Sequence, residues 1–155
     1  ALGPVVRAVV ADMMPFADAR AIDLGVVGET EIDVPVPEFE LASVLRNLVD
    51  NALRHGRQGG AVDVVVEQAP DCVTIRVCDD GPGIPADARA TIFEPFRRLA
   101  SDSEGSGLGL AIVKAIADRR GAALSLGDGP GTTVSFSLPC LNPHRRRGEG
   151  AEGPA

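Results

Sequence analysis

Apolar residues recur at three and four along Glu38–His55, where Leu41, Val44, Leu45, Leu48, Val49 and Leu53 form one stripe that Gly56 closes. This is the clearest helix in the chain. Val5, Val6, Val9, Val10, Met13 and Met14 repeat the spacing over residues 4–20, and Pro15 predicts that this helix is kinked or ends early. Further helices are expected over 108–120, stopped by Gly121, and, as a short piece, over 86–92. Elsewhere the period is two. Residues 62–68 and 72–78 alternate around Ala69-Pro70-Asp71, and 122–126 and 132–138 flank a Gly127-Asp128-Gly129-Pro130-Gly131 turn, so both pairs read as hairpins. Residues 22–27 and 30–36 read as two short strands around Gly28-Glu29, 79–85 as a Gly/Pro loop, and 100–107 as a mobile loop. Strands with interspersed helices predict a two-layer α+β domain with helices covering one sheet face. The other face is expected to be open or covered by a neighbour.

Composition narrows the function classes. The 155 residues are 45% hydrophobic and 24% charged, enough for one domain with a genuine core. A net charge of −7 argues against non-specific nucleic-acid binding, and with no Trp, no Tyr and 5 Phe there is no platform for stacking bases. No apolar run reaches membrane-span length, and the first residues lack the charged start and apolar centre of a signal peptide. The chain also starts without Met and reads as a fragment of something longer. Cys72, Cys78 and Cys140 have no metal-ligand spacing and are expected to be reduced, intracellular thiols. The Gly/Pro-rich tail, 141–155, is expected to be disordered, with Arg145–Arg147 solvated.

Three places carry chemistry. Asn47 and Asn51 stand four residues apart on one face of an otherwise apolar helix, where unpartnered amides are costly. Either they cap neighbouring backbone, or their carbonyl oxygens hold a hard cation such as Mg²⁺. Arg54 would then face a phosphate, while His55 either ends the helix or lies against a base. The second place is Val-Cys-Asp79-Asp80-Gly81-Pro-Gly83-Ile84-Pro. It is either an ordinary acidic turn or a carboxylate that accepts a hydrogen bond from adenine's exocyclic amine, with Gly81 and Gly83 making room for the ring. The third is Gly105-Ser106-Gly107-Leu108-Gly109-Leu110 before a helix. Glycines there permit a turn, and bare N–H groups at a helix start also bind phosphate. The spacing is neither a P-loop nor the dinucleotide fingerprint.

Taken in order, NLVDNALRHG, DDGPGIP, IFEPFRR, GSGLGLAIVKAIADRRGA and GTTVSFSLP resemble the N box, first glycine box, phenylalanine box, second glycine box and closing strand of the ATP-binding domain of bacterial sensor histidine kinases. That domain belongs to the gyrase, chaperone, histidine-kinase and mismatch-repair ATPase superfamily. The resemblance implies a Bergerat-type fold: a two-layer α/β sandwich with a mixed, mainly antiparallel sheet of about five strands and three helices on one face. It implies ATP and Mg²⁺ as ligands, with Asn51 on the metal and Asn47 at a second polar position of variable role. Arg54, where lysine is usual, is implied at the phosphates. Asp79 matches the adenine-reading aspartate, with Gly81, Gly83, Ile84 and His55 lining the nucleotide and Thr132 supporting the base. Gly105, Ser106, Gly107, Leu108, Gly109 and Leu110 would serve the triphosphate. Phe93 and Phe96 flank the lid; Arg97 or Arg98 touches phosphate, a partner domain or only solvent.

Several positions depart from the family pattern. Glu104 replaces a glycine, the lid is short, and Asp80 stands where asparagine is more common. Asn47 occupies the position at which hydrolysing relatives carry a general-base glutamate, and an amide takes no proton at neutral pH. Phosphoryl transfer to a protein nucleophile is therefore expected rather than rapid hydrolysis. His55 and His144 lack the context of the family's acceptor histidine, so the acceptor is expected on a separate dimerisation domain, with 1–20 as the connector, 21–140 as the kinase domain and 141–155 as the tail. A downstream response regulator, and a parent that is a membrane-anchored homodimer with this domain in the cytoplasm, are implied partners and setting. A related serine kinase acting on a separate partner, and a non-enzymatic nucleotide sensor or clamp-type ATPase, are the competing readings.

Overall fold

The computed structural model describes residues 1–89, 91–93, 108–127 and 129–139. Helix α1 (Leu2–Ala19) buries Leu2, Val5, Val6, Val9, Met13 and Ala17 along one stripe. It does not end at Pro15, which lies inside it. Proline removes the bond to the carbonyl four residues back, that of Ala11, and both residues face outward where that carbonyl can be hydrated. The helix closes with the Ile22 N–H on the Ala17 carbonyl at 2.9 Å and the Ala21 N–H on that of Asp18 at 3.1 Å. This double cap needs a left-handed residue, and Ala21 supplies it at φ 53°.

Strand β1 (Asp23–Gly28) follows. The second strand expected over 30–36 does not form: those residues are irregular, although Ile32 and Val36 are buried. The alternation there serves packing against α1, where the Leu2 N–H bonds the Ile32 carbonyl at 2.8 Å. Pro35 and Pro37 have no N–H to give a ladder. Helix α2 (Glu38–His55) is as the stripe predicts. Strands β2 (Ala61–Gln68) and β3 (Cys72–Asp79), helix α4 (Gly109–Arg120), and strands β4 (Ala123–Leu126) and β5 (Thr133–Pro139) match the expected elements within a residue or so. Between β3 and α4, α3 (Ala86–Arg89) is a single turn, shorter than expected. The expected lid, 100–107, Phe96, Arg97, Arg98, Cys140 and the tail 141–155 lie outside the described residues.

The sheet runs β1-β2-β3-β5-β4; β1 lies parallel to β2 and every other pairing is antiparallel. The mixed, mainly antiparallel sheet of five strands is therefore as expected, with α1, α2 and α4 packed as the helical layer. Alternation sends Val62, Val64 and Val66 of β2, Val73, Ile75 and Val77 of β3, and Val134, Phe136 and Leu138 of β5 into the core beneath those helices. Each such side chain contributes about 1.5–3 kcal/mol on burial. The opposite face is polar and half-buried: Thr74 and Ser137 share a hydroxyl hydrogen bond at 2.9 Å, Arg76 pairs with Glu67, and Cys72 and Cys78 are free thiols. Among the described residues no helix is long and apolar enough to cross a membrane.

One ion cluster ties the helical layer together. Glu40, 3% exposed in the first turn of α2, accepts from Arg119 Nη1 and Arg120 Nε, each at 2.6 Å, at the far end of α4. The Arg120 hydrogen bond, against the opposing effect of burial, holds the Glu40 carboxyl below its ordinary value of 4.5. A lowered folded-state pKa makes this stabilisation complete above about pH 4.5 and drains it as pH falls through the folded value. Glu40→Gln is expected to lower the Tm at pH 7 and to flatten the loss of stability below pH 4.5 seen for the unaltered chain, as checked by thermal melts across pH. Ala21→Gly, which relieves the left-handed strain, is expected to raise stability by about 1 kcal/mol in urea unfolding.

Candidate functional site

The C-terminal half of α2 and the ends of β3 and β5 bring the expected residues into one region. Asp79 is the last residue of β3 and is 9% exposed. Its Oδ1 accepts the Gly81 N–H at 2.9 Å and the Thr132 N–H at 3.3 Å, while its own N–H donates to the Thr132 carbonyl at 2.9 Å. Oδ2 takes part in neither side-chain bond, so the carboxylate keeps an acceptor for a ligand amine. Burial pushes the Asp79 carboxyl above its ordinary value, opposed by the two backbone N–H groups and by the His55 ring nearby; Asp80 adds a small push upward. A buried carboxylate held by so few donors stays chemically demanding.

Glycine is required here by space. A Cβ on Gly81 would lie 2.5 Å from the His55 carbonyl and 3.0 Å from Asp79 Oδ1. Gly83 has φ +80° and faces the carbonyls of Pro130 and Gly131. Ile84 is half-buried against the core, and Thr132 is buried. The segment is a turn, and the turn holds the Asp79 carboxylate through the Gly81 N–H.

On α2, Asn47 donates Nδ2 back to the Ser43 carbonyl four residues earlier at 2.8 Å, so its amide nitrogen is satisfied by neighbouring backbone of its own helix. That bond orients its Oδ1 toward the start of α4, 3.1 Å from where a Cβ on Gly109 would stand. Asn51 is half-buried one turn further along, and its amide has no hydrogen bond among the described residues. Arg54 is exposed and pairs with Asp50 at 3.0 Å, a link that a phosphate would have to displace. Leu108 precedes α4; its carbonyl accepts the Ile112 N–H at 2.9 Å, but its side chain has no oxygen to cap the first N–H groups. Gly109 opens the helix and Leu110 is buried in the core beneath it, which makes Leu110 an anchor of the helix start. Gly105, Ser106 and Gly107 lie outside the described residues. Among the described residues no group of three or more His, Cys, Asp or Glu side chains could hold a metal. The oxygens this face of α2 offers are the side-chain amide oxygens of Asn47 and Asn51, and hard cations such as Mg²⁺ take oxygen ligands.

Three contributors were given no role by the motif reading. A Cβ on Gly131 would run into the Asp79 carbonyl, so the β4–β5 turn owes that glycine to the site. Its signal was present in the glycine-rich turn. Asp80 accepts the Ala61 N–H at 3.2 Å and pairs with Arg57 at 3.3 Å, fixing the loop before β2. Arg20 donates to carbonyls at the end of α2, with nothing in the sequence to announce it.

Residues 37–142 match the family model for the histidine kinase-, DNA gyrase B- and HSP90-like ATPases. The chain is 38% identical over 128 residues to the sensor histidine kinase GtrS of Pseudomonas aeruginosa, covering 81% of this chain and 26% of GtrS. It spans about a quarter of the length of the curated relatives it matches. Among solved structures, the mycobacterial sensor histidine kinase MprB superposes with a TM-score of 0.76 at 32% identity, over 88% of this chain and 94% of that one. The histidine kinase ThkA, in a complex with the response regulator TrrA, superposes with a TM-score of 0.76 at 25% identity, over 90% of this chain and 40% of that one. The chain thus belongs to the histidine kinase-, DNA gyrase B- and HSP90-like ATPase family, and within it stands with the ATP-binding catalytic domains of sensor histidine kinases.

Proposed function

We propose that this chain is the Mg·ATP-binding catalytic domain of a sensor histidine kinase, passing the γ-phosphoryl group of ATP to a histidine on a separate dimerisation domain for relay to a response regulator. The observation that carries the reading is one helix serving two ends of a ligand. At its C-terminus α2 abuts the Asp79–Gly81 turn, and about two turns earlier its Asn47 oxygen faces the start of α4. In this reading Asp79 accepts the adenine amine, Thr132 and Gly81 hold that carboxylate in place, and His55, Gly83 and Ile84 line the base. Asn51, with Asn47 beside it, would hold Mg²⁺, and the start of α4 with Gly105–Gly109 would take the phosphates through N–H groups and the helix dipole. Bound magnesium would neutralise charge on the phosphates. Asn47 offers no proton acceptor for water, which favours transfer to a protein nucleophile over hydrolysis. The parent is read as a membrane-anchored homodimer with this domain on the cytoplasmic side, consistent with how little of its relatives' length the chain spans.

The transfer is tested with γ-labelled ATP and an added histidine-bearing dimerisation domain from a relative. Label on that histidine is expected; tight ATP binding without any transfer would leave a nucleotide sensor instead. Asp79→Asn separates recognition from stability. Because the folded-state pKa of Asp79 is raised, its charge opposes folding at neutral pH, and the favourable contribution survives only toward acid, being lost as pH rises through the folded value. The asparagine oxygen still accepts both N–H groups, so the variant is expected to melt at the same or a higher temperature at pH 7. Loss of a charge-assisted bond of about 1.5–3 kcal/mol is expected to weaken ATP binding about 10- to 100-fold in calorimetric titration. Asn51→Ala is expected to bring ATP affinity in Mg²⁺ down to that measured in EDTA; an unchanged magnesium dependence would refute the assignment.

A further inference from the structure

Arg20 is bound at both its ends. Its guanidinium donates Nη1 to the carbonyls of Leu53 at 2.5 Å and Arg54 at 2.6 Å, and Nη2 to that of Gly56 at 3.1 Å. Its own carbonyl accepts the Gly59 N–H at 3.1 Å. The last carbonyls of a helix have no partner within it, and a cation there also meets the negative end of the helix dipole. A planar fork reaching three such carbonyls fixes both the position and the direction of the end of α2.

That end is what the purine side of the site rests on. Between the carbonyls that Arg20 holds lies that of His55, the atom closest to where a Cβ on Gly81 would stand. Gly56 follows, its own Cβ position 3.7 Å from Asp79 Cβ. The loop after it is closed by the Gly60 N–H on the Arg57 carbonyl at 2.8 Å and by Asp80, the neighbour of Asp79. On the metal and phosphate side, Asn51 lies four residues back from His55, about 6 Å along the axis, and Asn47 with Gly109 lies eight back, about 12 Å. A shift confined to the last turn of α2 would move the Asp79–Gly81 turn and leave Asn47 where it is.

Resting on the nucleotide reading above, we infer that Arg20 is a positioning residue for the purine-selective end of the site, acting through the carbonyls at the end of α2 and touching no part of the ligand. Arg20→Ala is then expected to weaken ATP and ADP by the same factor, on the order of tenfold, because small displacements of a recognition group carry large penalties. The preference for ATP over GTP should narrow with it. The ratio of ATP affinities with Mg²⁺ and with EDTA should change less than that preference does, because Asn51 lies before the last turn of α2. Arg20→Lys keeps the charge but not the fork and should show a smaller loss in the same direction; it also covers the case in which the alanine variant does not fold. Calorimetric titrations of the full chain at 10 °C, with circular dichroism confirming that each variant is folded, supply the readout. A variant that melts earlier yet keeps the unaltered affinity and purine preference would make Arg20 a stability residue only and overturn the inference. An unaltered chain that binds no ATP would overturn the nucleotide reading first, and this inference with it.

Discussion

Backbone crowding around Asp79 is the constraint on which the rest of the site depends. Three segments converge there: the end of α2 at His55 and Gly56, the turn at Gly81, and the β4–β5 turn at Gly131, with no space for a side chain at Gly81 or Gly131. Their closeness takes Asp79 out of water, and burial in turn raises the cost of its charge. The two N–H groups from Gly81 and Thr132 offset part of that cost and use only one carboxylate oxygen. The chain therefore maintains a demanding acid where an ordinary turn would have served.

Helix α2 is the ruler that places everything else. Its first turn carries Glu40, clamped by Arg119 and Arg120; its middle carries Asn47 against the start of α4; its end carries His55 and Gly56 against the Asp79 turn. The ion cluster ties α4 to α2 at one end, and at the other the start of α4 lies close against the Asn47 side chain. The polar face of the sheet takes no part in this geometry, so the site is built wholly from the helical layer and the strand ends that meet it.

How much of this could be read beforehand follows from the range of each signal. Helix stripes and strand alternation are local, and they gave α2, α4 and both hairpins nearly to the residue. The same local logic misread 30–36: Ile32, Val34 and Val36 alternate as a strand does, but alternation states only that one side is buried, not that a ladder partner exists. At Pro15 the helix does not end but runs on to Ala19, and the carbonyl that proline leaves unpaired lies on the exposed side.

The order of elements, the glycines of the turns, and the identities of Asp79, Asn47, Asn51 and Thr132 as candidate site residues came from the sequence alone, because each is written in a short run of neighbouring residues. Tertiary structure decided the parallel pairing of β1, the coil at 30–36, the Gly131 approach to Asp79, and the partners of Glu40 and Arg20. Those partners lie 79 and 80 residues from Glu40, and 33 to 36 residues from Arg20. A charged side chain carries no mark of which distant carbonyl or carboxylate it will meet; only the packing of α1, α2 and α4 into one layer brings those atoms within reach.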